Sequence, residues 1–115
     1  MGLQGRIMII YVDIDETICS YDGEREYVLA SPVDERIQKI NTLFDQGNTI
    51  VYWTARGSTT GIDWTELTTK QLSDWGAKYH SLKLKKPPYD LFICDKAINT
   101  NTFFSNDLKR ITNEL

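Results

Sequence analysis

The chain has 115 residues, of which 41% are hydrophobic and 25% are charged, and its net charge is −3. These values are typical of one globular domain, and they exclude a collagen-like or a disordered chain. The negative charge also argues against a nucleic-acid binder that depends on bulk positive charge. We expect a single domain over residues 1–115, in which residues 1–7 are a candidate N-terminal extension.

Two features bear on the cellular location. The longest apolar run, residues 7–12, is too short to span a bilayer, and the residues before it lack the apolar segment of a signal peptide. The two cysteines, Cys19 and Cys94, are too few for the disulfide framework of a small secreted domain. We therefore expect a reduced, cytoplasmic protein that does not contact membranes.

The first half of the chain predicts a strand, a flap and a helix. Residues 6–12 form a β-branched apolar run, which is typical of a strand buried on both faces of a parallel sheet. Residues 17–30 mix turn formers with charges and predict a small hairpin or flap. Residues 31–34, Ser-Pro-Val-Asp, match the start of a helix, with Ser as N-cap and Pro at the first helical position, and Gly47 ends that helix.

The second half predicts further strands and two more helices. Three apolar runs have the length and composition of strands, the middle one being the weakest: residues 49–53, 79–82 and 91–94. Residues 63–66 form a capping box that begins a helix, and Gly76 ends it. A last helix is predicted to begin near Ser105 and to use Leu108 and Ile111 for packing.

Strands that alternate with helices predict the α/β class. The specific expectation is a Rossmann-like three-layer fold with a mainly parallel central sheet, a small flap and no large cap domain. In such sheets ligands bind beyond the carboxyl ends of the strands. Polar residues stand at four of those ends: residues 13–17, residues 54–56, Lys86 and Asp95. Carboxylates that meet there repel one another unless a cation compensates them, and oxygen ligands suit Mg²⁺.

These motifs, in this order, resemble the haloacid dehalogenase superfamily of phosphohydrolases in its cap-less form. Residues 13–17, Asp-Ile-Asp-Glu-Thr, match the first motif of that family, D-x-D-x-T, directly after an apolar strand. Thr54, Lys86 and Asp95 match the second, third and fourth motifs. The chain departs from the common pattern at Glu16, where the family often has Gly. It also departs at the residue before the acid of the fourth motif, which is a cysteine here instead of a second acid.

A narrower resemblance is to the short phosphatases encoded with capsular polysaccharide biosynthesis. It depends on residues 54–56, Thr-Ala-Arg, and on residues 86–90, Lys-Pro-Pro-Tyr-Asp, which lead straight into the last predicted strand. This match is less specific than the match to the superfamily.

The resemblance implies a role for each strand-end residue. Asp13 is the expected nucleophile and forms a phosphoaspartyl intermediate. Asp15 is the expected general acid and base, and its backbone carbonyl joins the side chains of Asp13 and Asp95 as ligands of Mg²⁺. Thr54 is expected to hold a phosphoryl oxygen, and Lys86 to neutralise the charge that develops on the phosphoryl group.

Three assignments keep an alternative. Lys86 is preferred to Lys83 and Lys85 because it directly precedes a proline, as in the family pattern, although a solvated basic loop would look the same. Arg56 either binds the substrate phosphate or is a surface residue beside a helix. Asn99 either orients metal-bound water or is an ordinary loop residue.

The implied function is a Mg²⁺-dependent phosphatase that hydrolyses a phosphomonoester of a small metabolite, such as a sugar phosphate. One alternative is a phosphatase that acts on a nucleic-acid end or a phosphoprotein, because no large cap would close the site. An alternative of another class is a non-catalytic phospho-receiver domain, which lacks an acid equivalent to Asp15. Residues 18–30 and 56–62 are expected to select the substrate, with the option that a neighbouring subunit of a homo-oligomer contributes.

Overall fold

The computed structural model describes residues 7–105. Within that range the elements are five strands, three α-helices and one 3₁₀ turn: β1 (Ile9–Val12), β2 (Cys19–Ser20), the 3₁₀ turn (Tyr27–Leu29), β3 (Ser31–Pro32), α1 (Asp34–Asp45), β4 (Thr49–Trp53), α2 (Thr65–Asp74), β5 (Ser81–Lys83) and α3 (Thr100–Ser105). None of these helices combines the length and the apolar composition that crossing a membrane requires.

The central sheet is parallel and has the order β1-β4-β5. Val12 pairs with Tyr52, and Tyr52 pairs with Leu82, so the three strands end at one edge of the sheet. Helix α1 connects β1 to β4, and α2 connects β4 to β5, as parallel neighbours require. The α/β class and the Rossmann-like parallel sheet are therefore confirmed, and the run over residues 79–82 does contain a strand.

The core lies on the sheet face that carries Ile10, Val12, Ile50 and Tyr52. Apolar side chains of both connecting helices pack in the same cluster: Ile37, Ile40, Leu43 and Leu72. Burial of each such side chain contributes roughly 1.5–3 kcal/mol. The opposite face is different at β1, because the side chains of Ile9 and Tyr11 are 71% and 48% exposed. The expectation that this strand is buried on both faces is wrong.

The predicted flap is a short antiparallel hairpin. Cys19 pairs with Pro32, and Ser20 pairs with Ser31. The next backbone N–H, that of Val33, donates to the carbonyl of Ile18 at 2.8 Å and continues the hairpin. The predicted helix start is therefore wrong by two residues, since the hairpin uses the backbone groups that an earlier helix would need. The N-cap is Val33 instead of Ser31, and α1 begins at Asp34.

The predicted strand over residues 91–94 is absent. Those residues form no strand and are exposed, with 87% of Ile93 accessible to solvent. A strand needs a neighbour that pairs with its N–H and C=O groups, and this segment has none among residues 7–105. The last helix, α3, begins at Thr100 and not near Ser105. The packing predicted for Leu108 and Ile111 lies outside the described residues.

Candidate active site

Three of the predicted site residues meet at the carboxyl edge of the sheet. Backbone pairing extends past the strand ends, since the N–H of Thr54 donates to the carbonyl of Lys83 at 3.0 Å and the N–H of Lys86 donates to the carbonyl of Thr54 at 2.9 Å. This pairing holds the third motif against the second. The ammonium Nζ of Lys86 lies 3.8 Å from Oδ2 of Asp13.

Of the three lysines in this loop, Lys86 is the one that faces Asp13. Its side chain is 16% exposed, and its Nζ lies 5.4 Å from the ring centroids of both Trp53 and Tyr89. Lys83 instead donates to the hydroxyl of Tyr11 at 2.9 Å. The third lysine, Lys85, is exposed, and its backbone is left-handed with φ of 62°.

The turn after β1 presents Asp13 to solvent. Its side chain is 42% exposed, and Oδ1 accepts the N–H of Ile14 at 2.9 Å. The turn closes with the N–H groups of Thr17 and Ile18 on the carbonyl of Ile14. It also places Glu16 at φ of 64°, a conformation that costs a non-glycine residue about 1–2 kcal/mol. That geometry explains why a glycine suits this position of the motif.

Asp15 lies inside the protein, against Arg56. The guanidinium Nε and Nη2 donate to Oδ2 and Oδ1 of Asp15 at 3.1 and 2.9 Å, which is a bidentate pair. Nη1 donates to the hydroxyl of Thr68 and to Oε1 of Gln71, at 3.1 and 2.6 Å. The ring of Tyr27 lies 4.7 Å from the guanidinium carbon.

This arrangement corrects both interpretations of Arg56. The residue is 1% exposed, so it is not a surface arginine. Its N–H groups point at protein acceptors, so in this structure it does not present them to a substrate phosphate. Its observed task is to fix the position and the charge of Asp15.

The flap adds two more contacts to Asp15. The hydroxyl of Tyr21 donates to Oδ1 at 2.5 Å, and the thiol of Cys19 lies 3.5 Å from the same oxygen. Burial and the adjacent charge of Asp15 raise the pKa of the Cys19 thiol to about 12, so the thiol keeps its proton at neutral pH. The hairpin therefore supplies two further donors, the Tyr21 hydroxyl and the Cys19 thiol, to the Asp15 carboxylate, which is already paired with Arg56.

The two carboxylates of the first motif have opposite pKa shifts. The carboxylate of Asp13 is only half-exposed, and this partial burial raises its pKa above the usual value, an effect that the ammonium of Lys86 offsets only in part. Burial also acts on Asp15, but the hydrogen bonds from Arg56 and Tyr21 outweigh it, so the pKa of Asp15 lies below its usual value. Neighbouring acids in contrasting environments can take different chemical roles.

The acid of the fourth motif, Asp95, lies on an exposed segment outside the sheet. Within residues 7–105 no group of three His, Cys, Asp or Glu side chains is placed to hold a metal ion. The Mg²⁺ site implied by the resemblance uses two side chains and one carbonyl, and one of those side chains, Asp95, belongs to this exposed segment. Asn99 accepts the N–H groups of Asn101 and Thr102 at 2.9 and 3.4 Å and so caps α3, which is an ordinary structural role.

Sequence reasoning missed the polar residues of α2 that bind Arg56. Thr68 and Gln71 are buried, and the amide nitrogen of Gln71 also donates to the carbonyl of Tyr27 at 2.6 Å. A signal was present, because polar residues at helical spacing beside buried Leu72 indicate a buried polar partner. The sequence alone does not say that the partner is Arg56.

The fold has a counterpart among solved structures. It is similar to the crystal structure of a target protein from Vibrio cholerae, with a TM-score of 0.80 and 24% sequence identity over 94% of this chain and 95% of that chain. Likeness at this identity establishes the α/β, Rossmann-like fold alone. No model of a known protein family matches the chain, and no curated protein matches it.

Proposed function

We propose that this protein is a phosphatase that hydrolyses a phosphomonoester of a small cytoplasmic metabolite, such as a sugar phosphate, with Asp13 as the nucleophile. The observation that supports this best is the contrast at the end of β1. A half-exposed carboxylate faces a lysine at 3.8 Å, and the acid two residues later is buried in a bidentate pair. The exposed group can reach a substrate, whereas the buried group is held in place.

The proposed reaction has two displacement steps. In the first, a carboxylate oxygen of Asp13 attacks phosphorus, the bond from phosphorus to the ester oxygen breaks, and the leaving oxygen takes up a proton from water. In the second, water attacks phosphorus and gives up its proton to Asp15, the bond from phosphorus to Asp13 breaks, and inorganic phosphate leaves. Lys86 neutralises charge on the phosphoryl oxygens in both steps.

Thr54 is suited to a supporting role. Its hydroxyl oxygen accepts the N–H of Arg56 at 3.2 Å, and its hydroxyl hydrogen is left to donate to a phosphoryl oxygen. Thr54 is 1% exposed, and it follows β4 directly. A fixed donor of this kind costs no reorganisation when the charge on phosphorus changes.

Asp15 is best suited to the second step. Arg56 and Tyr21 hold it as a carboxylate, which can accept a proton from the attacking water. Donation of a proton in the first step would require a protonated Asp15, which the lowered pKa disfavours. The leaving oxygen of the first step therefore takes its proton from water.

Mg²⁺ belongs to the proposal only through the resemblance, because Asp95, one of its expected ligands, lies on an exposed segment outside the sheet. A phosphatase panel tests the metal and the function together. Sugar phosphates, nucleotides and phosphopeptides are assayed for phosphate release with Mg²⁺ and with EDTA. We expect sugar phosphates to be preferred at least about tenfold, which is ~1.4 kcal/mol, and EDTA to abolish release.

Asp13→Asn is the control for that panel, since it keeps the shape of the side chain and removes the nucleophile. Phosphate release that survives in this variant would contradict the assignment. Stoichiometric phosphorylation of the protein by acetyl phosphate, without turnover of any ester, would instead support the phospho-receiver alternative. Equal rates with phosphopeptides and sugar phosphates would contradict the small-metabolite substrate.

A further inference from the structure

We infer that two copies of this chain exchange residues 87–99, here called the arm, so that Leu91–Cys94 of one copy adds as a strand to the open edge of β1 in the other. Asp95 of each copy then lies beside Asp13 of its partner. The evidence for the exchange is the set of apolar surfaces that the structure leaves exposed. The placement of Asp95 beside Asp13 also rests on the proposed function.

The arm exposes an apolar segment that has the composition of a buried strand. Leu91, Phe92 and Ile93 are 75%, 54% and 87% exposed. Removing these side chains from water is favourable because the hydrophobic effect grows with the apolar area that is buried. Monomeric proteins seldom leave contiguous apolar residues in water, and when they do the surface usually meets a partner.

The same chain carries an edge that such a segment fits. In the part of the chain that the structure describes, β1 has β4 as its one neighbour and is the edge strand of the sheet. Ile7, Ile9 and Tyr11 along this edge are 58%, 71% and 48% exposed. An unpaired, apolar edge strand is a template for a further strand, because its outward N–H and C=O groups seek partners.

Within one copy the connection is too short for this pairing. The N–H of Lys86 is fixed on Thr54 at the carboxyl edge, and only residues 87–90 separate it from Leu91. A parallel strand beside β1 has to begin at the opposite, amino edge, and such crossovers take about a dozen residues or more. Five backbone steps join Lys86 to Leu91, and they span at most ~18 Å when fully extended, which leaves no room for the helix or loop that such a crossover usually contains. A second copy offers the same edge without that crossover.

Both ends of the arm are anchored on its own copy. At one end Lys86 lies against the rings of Trp53 and Tyr89, and the ring of Tyr89 packs 5.3 Å from that of Phe92. At the other end the hydroxyls of Thr100 and Thr17 lie 2.9 Å apart. An arm held at both ends beside the site can reach only a copy that packs closely, as reciprocal exchange about a two-fold axis requires.

The exchange would complete the metal site that a single chain lacks. Asp95 directly follows the added segment, as Asp13 directly follows β1. When the segment runs parallel to β1, both acids come to the carboxyl edge of one sheet. Two carboxylates and the carbonyl of Asp15 are then available to Mg²⁺, whose charge would offset their repulsion.

Sedimentation of the purified full chain tests the exchange directly. We expect the wild-type protein to be a dimer and Ile93→Asp to be a monomer at the same concentration with an unchanged circular dichroism spectrum. Val28→Asp is the matched control, since Val28 is 61% exposed in the flap, and it should remain dimeric. A monomeric wild-type protein, or a dimer that Ile93→Asp does not dissociate, would overturn the inference.

Coexpression of Asp13→Asn and Asp95→Asn chains tests the shared site. Each variant alone should lose activity at least 100-fold, whereas mixed dimers keep one intact site and should restore about a quarter of the wild-type activity. If the wild-type protein is an active dimer but coexpression of the two variants restores no activity, the shared site is overturned. A protein without phosphatase activity whose dimer depends on Ile93 would contradict the proposed function and still support the exchange.

Discussion

Two regions of this protein carry the same sequence pattern with opposite results. Ile9–Val12 and Leu91–Cys94 are both apolar segments of four residues followed directly by an aspartate. The first pairs with β4 and presents Asp13 at the edge of a sheet, whereas the second is exposed and unpaired among the described residues. An apolar segment therefore forms a strand only when a neighbouring strand pairs with its backbone. The acid that follows it reaches a site at the sheet edge only when that pairing is present.

The surroundings of the acids differ in the same way. Asp15, at the β1 end, has a bidentate arginine, a tyrosine hydroxyl and a thiol around its carboxylate. Asp95, in the arm, lies in solvent next to the thiol of Cys94, at 3.9 Å. The β1 end is therefore a preorganised region, whereas the arm has no strand that pairs with it among residues 7–105.

Removal of the buried guanidinium should have the largest effect on stability. Arg56→Ala leaves the charge of Asp15 buried and unpaired, and loss of one partner of such a pair costs about 3–5 kcal/mol. Urea unfolding followed by circular dichroism measures this. Asp90→Ala, an exposed change in the arm, is the control and should change stability by less than about 0.5 kcal/mol. Equal losses in the two variants would remove the contrast between the two regions.

Asp13→Asn should lower turnover at least about 100-fold, or ~2.7 kcal/mol in the activation barrier, because the amide is a poor nucleophile. Its melting temperature should be unchanged or higher, because burial disfavours the charged form of Asp13. Steady-state kinetics and thermal unfolding of one preparation test both statements. Asp90→Asn, an exposed change in the arm, should leave turnover within about twofold.

Tyr21→Phe should shift the pH dependence of stability. The pKa of Asp15 is lower in the folded protein than in the unfolded chain, so its contribution is present above its ordinary pKa of about 4 and is lost as the pH falls through the folded value. Without the tyrosine hydroxyl the folded pKa rises. We expect a loss of about 1.5 kcal/mol at neutral pH and acid unfolding at a higher pH.

Unfolding curves between pH 2 and pH 7 check that expectation, and an acid midpoint that does not move would contradict the role of the hydroxyl. The same variant should shift the acidic limb of the activity profile to higher pH, because the second step needs an ionised Asp15. A shift to lower pH would contradict the assignment of Asp15 as a base.

Arg25→Ala should have the smallest effect and should act on selectivity. Arg25 is exposed on the flap, 5.7 Å above the ring of Tyr21, so it can contact the leaving group of a bound substrate. We expect kcat/KM for a sugar phosphate to fall about threefold to tenfold relative to a small activated ester, which is ~0.7–1.4 kcal/mol. Glu24→Ala, exposed on the same flap, is the control. An unchanged ratio would make the flap a structural hairpin only.

The sequence by itself determined the parallel sheet, the two helices that connect its strands and the edge at which Asp13, Thr54 and Lys86 lie. Those features follow from local patterns, because apolar β-branched runs, capping boxes and terminal glycines act over a few residues. The pattern at Lys86 was equally local, since the residues around it extend the pairing of β4 with β5.

Only the tertiary structure decided the environment of each acid. Arg56 is 41 residues from Asp15 along the chain, and nothing in its local sequence indicates that it is buried with Gln71 rather than exposed to a substrate. The residues of Leu91–Cys94 have strong strand propensity, but propensity does not supply a pairing edge within reach. Both outcomes depend on contacts between distant segments, and local patterns do not encode those contacts.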